Sequence, residues 1–478
     1  MIPLPLSKRS VRALWHSPEL WSFVSLGTRL SGSIVLFLLI SRKLPAEELG
    51  LWGVFMALTA LFGQLDLGFA QNVTRAAGFA WAGATKLLPF GVAKAESSAP
   101  EQPNYTLLAD LVVTMRQYYR WVGLGAFGLG LTLGEWWIAH KSAHLANSTS
   151  LRAAWAVYAI GLLVTFWGGY WMALLNGINR VRQAQQAIMA GQAANYLIGI
   201  TGLMLGFGIW SLVAGALVSG TIMRVSTCVL FQRFLSRATL EQGQVRWDLI
   251  KVLWPNSWRL GVVSLGAYLI LQANTLIGSA LLDLKQLGSY TLSLQVVLIL
   301  TQFSGVWVQV KLPLINGLRA RGDTAAVAVL FADRVRFYLA TFVAGAIGLV
   351  LLGPTLMELI GSQTSLLPTG ALLLLLAIYL AEQHHGHFAA LVLTENINPF
   401  LGPALISGGA VVIASLVLTP KFGYWGMLAA QGLVQLSFNN WWVVWRGLQS
   451  LGTDRHTYWR RFWDVRTLLH YRSANPSH

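Results

Sequence analysis

The chain is poor in cysteine and in charge, and poorest in acid. A single cysteine, Cys228, excludes an intramolecular disulfide and a multi-cysteine metal site. Only 11% of the 478 residues are charged, less than half of the roughly 25% usual in a soluble domain. Acidic residues number 18 against 34 lysines and arginines. Catalytic signatures are missing too. There is no GxxxxGK[ST] phosphate loop, so no ATP-driven pump is built on this chain. There is also no HExxH, no G-x-S-x-G and no pair of aspartates spaced to hold a metal–nucleotide-sugar. No enzyme, cofactor or metal site is expected. The N-terminus has basic residues but no apolar core ahead of a small-residue cleavage site. No cleaved signal peptide is expected, and the first span serves as the anchor.

What the chain has is apolar length. It is 55% hydrophobic with a mean hydropathy of +0.57. Runs of about 20 apolar residues, each able to cross about 30 Å of hydrocarbon as a helix, recur throughout. Twelve spans are expected, near 20–41, 48–70, 117–139, 153–176, 184–207, 209–231, 255–279, 285–310, 335–360, 367–393, 397–419 and 423–445. The fold class is therefore an all-α polytopic membrane protein with about 12 transmembrane helices. Basic residues crowd one set of ends and loops, from Lys8, Arg9 and Arg12 to the arginines after Arg446. The opposite set has only Arg42, Lys43, Lys141, Arg152, Lys285 and Lys421. This bias predicts that both termini are cytoplasmic. The net charge of +16 follows from the same bias, so nucleic acid is not the expected partner. The tail after Arg446 interleaves Trp, Tyr and Phe with Arg, a pattern suited to anchoring at the anionic lipids of the inner leaflet.

The loops are uneven. Outward connections are short, the longest near 140–152. The longest internal loop, about 80–116, contains GVAKAESSAPEQPNY, and residues 105–118 are expected to lie as an interfacial helix. A weak internal repeat runs through the chain. EELGLW at 47–52 matches KQLGSY at 285–290, FGIWSLVAGALV at 207–218 matches FGYWGMLAAQGLV at 422–434, and GINR at 177–180 matches NINP at 396–399. The order of the matches suggests two six-span halves, 1–240 and 241–478, joined near 233–250. Parallel repeats of this kind place a substrate site at the interface between them.

Ionisable groups inside apolar spans are costly and mark candidate sites. Arg29, in LGTRLSGSIVLFLLI, is either an anion-binding cation in a cavity or half of an ion pair, for instance with Asp66. Arg224, in GTIMRVSTCVL, is either deep enough to bind or able to snorkel inward. Arg259, at the start of span seven, is placed to receive a phosphate or is an ordinary basic flank. An arginine fork suits a diphosphate. Gln272 and Asn274, in YLILQANTLIG, either line a cavity or bond a neighbouring helix. In span ten, AEQHHGHFAALVLTEN places Glu382, His384, His385 and His387 within two turns. They form a proton-coupling or substrate-hydroxyl site, or else a polar seam. Asp66, in LDLGFAQ where span two breaks, either pairs with an arginine or caps a new helix from about Phe69. With Arg75 it is taken as a gate or packing residue.

These residues also bear a family likeness. A basic flank, an Arg-bearing first span and then LPAEELGLWGVFMALTALFGQLDLGFAQNVTR resemble the opening of polysaccharide flippases. Those are the O-antigen and exopolysaccharide transporters of the multidrug/oligosaccharidyl-lipid/polysaccharide exporter superfamily. LNGINRVRQAQ at 175–185, LGSYTLSLQVV at 287–297 and LPLINGLRARGD at 312–323 are similar to that family as well. The resemblance implies two six-helix lobes around a central cavity in the cytoplasmic (inner) membrane. It implies a polyprenyl-diphosphate-linked oligosaccharide as cargo, with membrane lipids and other glycan-assembly membrane proteins as partners. A cationic cavity would match the diphosphate. One departure stands out: relatives often have an Asp followed by a basic residue late in span seven, and this chain has Asn274-Thr275. The alternatives are a drug or metabolite cation antiporter of the same superfamily, or a membrane glycan polymerase or ligase, which the short outward loops disfavour.

Overall fold

The computed structural model describes residues 18–89, 102–235, 237–395, 398–452, 460 and 462. Among them every regular element is helical. In hydrocarbon a helix satisfies its backbone groups within one segment. Nine helices are long and apolar enough to cross a membrane, and a tenth crossing is a helix pair bent by 44°. Two further long helices, Thr369–Leu393 and the run 424–450, have polar stretches at their middles, AEQHHGH and QLSFNN. Together these make twelve crossings among the described residues. The basic residues Lys8, Arg9, Arg12 and Lys94, most of the tail, and part of the NINP match lie outside the described residues.

Contacts divide the chain into two compact units, Met1–Tyr268 and Leu269–His478. The first contains α1 (Pro18–Lys43), α2 (Ala46–Gly63), α3 (Phe69–Trp81), α4 (Tyr105–Ser142), α5 (Ser148–Gly177), α6 (Val181–Met204), α7 (Ile209–Gln232) and most of α8 (Trp247–Leu271). The division falls inside span seven, later than the join expected near 240, for a physical reason. Side chains of α4 hold the connector by its backbone: Asp110 Oδ1 accepts from the Gln244 N–H at 2.8 Å and Thr114 Oγ1 from that of Arg246 at 2.9 Å. The Arg246 guanidinium is bonded to Asp248, whose carboxylate raises its already high pKa further. Asn72 then donates to Ser257 at 3.0 Å, and the Tyr268 hydroxyl to the Ala57 carbonyl at 3.0 Å. These bonds tie α8 to the first unit.

The region 105–118 departs outright from the sequence expectation. It is not a separate interfacial helix but the first third of α4. Asn104 caps it by accepting from the Leu107 N–H at 2.9 Å, and Leu107, Leu108, Leu111, Val112 and Met115 are buried. Arg116 and Arg120 lower the apparent hydropathy there, which shortens the span as read from sequence. Further along α4 a π-turn over Gly130–Gly134 hands the Gly130 carbonyl to the Glu135 N–H. Trp155 of α5, fully buried, donates its indole N–H to the same carbonyl at 2.9 Å. A Cβ at Gly134 would overlap the Trp155 ring. Truncating a buried Trp costs about 3–5 kcal/mol.

The second unit contains α9 (Ala273–Leu281), α10 (Leu284–Gln309), α11 (Leu312–Ala320), α12 (Thr324–Leu359), α13 (Thr369–Leu393), α14 (Leu401–Phe422), α15 (Tyr424–Val434), a π-turn over Gln435–Asn439, and α16 (Asn440–Ser450). One feature recurs in both units. The turn before α7 passes through Gly208 at φ 55°, ψ −135°, and the turn before α15 through Gly423 at φ 59°, ψ −143°. These are the two turns inside the FGIW and FGYW matches.

Candidate functional site

The polar interior of the first unit is built around the break after α2. Gln64–Asp66 tightens into a 3-10 turn, Leu67 and Gly68 reverse the chain at φ 49° and 72°, and α3 starts at Phe69. This places Asp66 at the N-terminus of α3, where an anion is favoured by the helix dipole. Its Oδ2 accepts from the Ala70 N–H at 3.3 Å and its Oδ1 from the Tyr119 hydroxyl at 2.6 Å. Tyr119 is 2% exposed. Its ring stacks between Phe166 and Tyr170, with centroids 6.4 and 5.8 Å away. The Asp66 carboxylate is therefore held by two donors, one of them on a stacked aromatic ring.

Beside this bond lies a cavity of about 340 Å³, lined by Asp66, Thr74, Tyr119, Thr165, Asn176 and Arg224 among others. The volume is within the usual range of ligand sites. Arg224 reaches it from α7 because α5 has Gly168 beneath its stem. A Cβ there would sit 2.6 Å from the Arg224 Cβ. Among the described residues Arg224 has no ion-pair partner, and its Nε is buried without a hydrogen bond. One turn along, Cys228 is close to Arg116 of α4, which also stands beside the Tyr170 hydroxyl. Arg116 and Arg224 thus flank the same aromatic wall.

The other expected residues of this unit stand apart from the cavity. Arg29 is half-buried on α1; its carbonyl accepts from the Tyr196 hydroxyl at 3.0 Å, and its Nε is buried without a partner. It does not line the cavity. Arg75 is exposed, 6.0 Å over the Phe79 ring, and Arg259 is exposed, 5.5 Å over Trp258.

The second unit encloses a different polar cluster. Asn274 of α9 is fully buried. It donates to Gln431 Oε1 of α15 at 3.0 Å and accepts from Ser415 of α14 at 2.9 Å. Both ends of its amide are spent on neighbouring helices, so the expectation that it binds cargo gives way to the packing alternative. Gln272, half-buried, sits at the break where α9 starts, and its carbonyl accepts from the Thr275 N–H at 3.1 Å. The π-turn brings Gln435 and Asn439 together at 3.0 Å. On α13, Glu382 Oε2 is 3.9 Å from His385 Nδ1, and Asn440 of α16 stands beside both. His387 faces the Tyr338 ring at 4.7 Å and Gln383 Nε2 at 3.4 Å; His384 packs on Phe388. Glu382 Oε1, His385 Nδ1 and Asn440 Oδ1 are buried without hydrogen-bond partners. Among the described residues no three such groups are placed to hold a metal.

Sequence reasoning misses Tyr119 and Arg116. The run MRQYYR reads as a basic flank, and the only signal in it is a pair of tyrosines next to a span.

Comparison with known proteins agrees with this architecture. A family model described as a polysaccharide biosynthesis protein matches residues 118–364. The fold is similar to that of an inward-facing multidrug resistance MATE transporter of the MOP superfamily, at 12% identity and TM-score 0.59, covering 89% of this chain and 96% of that one. It is equally similar to the lipid II flippase MurJ in an inward closed conformation, at 12% identity and TM-score 0.59, covering 96% and 94%. The MATE multidrug transporter DinF-BH follows at 15% identity and TM-score 0.53, covering 94% and 98%. No curated protein sequence matches the chain.

Proposed function

Because this chain belongs to the polysaccharide biosynthesis protein family, we propose that it flips a polyprenyl-diphosphate-linked oligosaccharide across the cytoplasmic membrane, from inner to outer leaflet. It is a carrier working by alternating access, not an enzyme. The observation that supports this most directly is the cavity of the first unit, where Arg224 faces open space with no acidic partner among the described residues. An arginine at such depth costs about 2.5–3.5 kcal/mol, and a bound phosphate offsets that cost with charge-assisted bonds of about 1.5–3 kcal/mol each. Arg224 is eight residues from the end of α7, about 12 Å along the axis. With both termini cytoplasmic, a diphosphate entering from that side meets Arg116 first and Arg224 next. Arg259 serves the approach of the cargo in this reading, while Arg29, which does not line the cavity, is left out of the diphosphate site.

Glu382, with His384, His385 and His387, is the proposed coupling group, a buried carboxylate with an unspent oxygen beside a histidine. A cation antiporter would instead need a free acid in the cavity. Asp66 is already engaged by Tyr119 and Ala70, which favours the anionic cargo. Purified protein in proteoliposomes, given a fluorescent polyprenyl-diphosphate oligosaccharide, tests the reading. Flipping by the wild type and its loss in Arg224→Ala are expected. Wild-type rates in that variant would overturn the site, and transport of a lipophilic cation alone would overturn the cargo.

A further inference from the structure

The Arg224 cavity changes character along its length. One wall is a face of α5, where Thr165, Gly169, Met172, Ala173 and Asn176 recur at helical spacing. Two glycines of α5 fix what stands at each level. Gly168 admits the Arg224 stem, and a Cβ at Gly177 would overlap the Thr74 carbonyl oxygen of α3. The levels of Arg224 and Thr74 are therefore about 14 Å apart along the axis of α5. Between them the wall includes Ala70, Gly169 and Ala173, which are too small to divide the space. One continuous cavity of about 340 Å³ joins the two ends.

The Arg224 end is charged. It contains the arginine and Asp66, whose carboxylate takes the Tyr119 hydroxyl. The Thr74 end is neutral, formed by Gln71 and Thr74 of α3 and Asn176 of α5. Gln71 and Asn176 are exposed, and neither side-chain amide has a hydrogen-bond partner among the described residues. The Thr74 hydroxyl donates to the Ala70 carbonyl at 3.1 Å, which leaves its oxygen able to accept. An amide both donates and accepts. Two amides beside a hydroxyl match a partner with the same double character. A phosphate offers acceptors, an ammonium only donors and an acyl chain neither, whereas sugar hydroxyls offer both.

We propose that the neutral end recognises the first sugar of the cargo, with Gln71 and Asn176 as specificity-determining residues and Thr74 as an added acceptor. The inference rests on the proposed cargo, whose diphosphate occupies the Arg224 end. A diphosphate and one pyranose ring laid end to end suit the separation of the two ends, and a diphosphate alone falls short of it. Because both amides are exposed, water satisfies them when no sugar is present. Discrimination is therefore modest, unlike the large penalties paid where a buried polar group loses its partner.

The test compares binding of three lipids to the protein in nanodiscs. They are polyprenyl diphosphate, and the same lipid carrying a single glucose or a single N-acetylglucosamine. The wild type is expected to bind at least one glycosylated lipid about tenfold more tightly than the bare one. Gln71→Ala with Asn176→Ala is expected to remove that preference and to change binding of the bare lipid by less than about twofold. Each single substitution should remove part of it. Both side chains are exposed, so the melting temperature should hold in all three variants. Arg224→Ala is expected to weaken bare and glycosylated lipids by the same factor. Equal binding of all three lipids by the wild type overturns the inference, as does a double variant that keeps the preference. A double variant that weakens bare and glycosylated lipids alike also overturns it, because the two amides would then serve the anion or the fold. Each of these results leaves the cargo standing. If none of the lipids binds the wild type, the cargo itself is wrong and the sugar end falls with it.

Discussion

The two units differ in what their polar residues do. In the first, Arg224, Asp66 and Tyr119 border open space, and the arginine has no ion-pair partner among the described residues. In the second, Asn274, Gln431 and Ser415 close on one another, and Gln435 on Asn439, with no exposure at Asn274, Gln431 or Ser415. The two units arrange their buried polar groups differently. Amides bonded to one another join helices in hydrocarbon, whereas an unsatisfied cation keeps its interaction energy for a ligand. Glu382 and its neighbours in the second unit share that unspent character.

This contrast can be broken by mutation. The largest effect is expected from Arg224→Glu, which places an anion opposite the proposed diphosphate. Cargo affinity should fall more than about a hundredfold with the protein still in the membrane, and unchanged affinity would erase the distinction between the units. Glu382→Gln should slow proton-driven flipping about tenfold and abolish its response to an imposed pH gradient. Cargo binding should hold within about twofold; equal loss of binding would make the second unit part of the cargo site. Asn274→Leu should act on stability alone. It strands Gln431 and Ser415, at about 1–2 kcal/mol, read as a lower melting temperature in detergent with cargo affinity intact. The smallest effect is expected from Tyr119→Phe. It removes one bond to Asp66 and should change flipping about threefold, with the ring stack preserved and the melting temperature almost unmoved.

Much of the fold was legible because hydrocarbon imposes one rule on every span. The twelve crossings and the break at Leu65–Gly68 follow from apolar length and from a polar residue beside a glycine. Asp66 as a cap was one of two alternatives, and the Ala70 N–H chooses it. The site was less legible. Asp66, Tyr119 and Arg224 come from three helices, and nothing in their local sequence indicates that they meet. Tyr119 was hidden between Arg116 and Arg120, and those two arginines made the start of α4 look interfacial. Asn274 was visible as polar, but whether its amide faced space or Gln431 depended on the packing of α15, which periodicity does not reveal. Arg29 looked the better cation because it lies nearer mid-span, yet depth alone does not place a side chain in a cavity.

The glycines at 208 and 423 have a consequence of a different kind. Their dihedrals are close to the mirror image of the polyproline region. Little crowds them: the nearest atom to a Cβ at 208 is Glu48 Oε2 at 3.5 Å, and at 423 it is Leu282 Cδ2 at 4.0 Å. The constraint at these two turns is therefore handedness, not volume. An L-alanine there would strain the backbone by about 1–3 kcal/mol, while a D-alanine introduced by chemical ligation would fit without strain. The helix pairs they join are pinned by chirality at a single residue, which keeps both hairpins short and leaves no slack in either connection to absorb a change of helix angle.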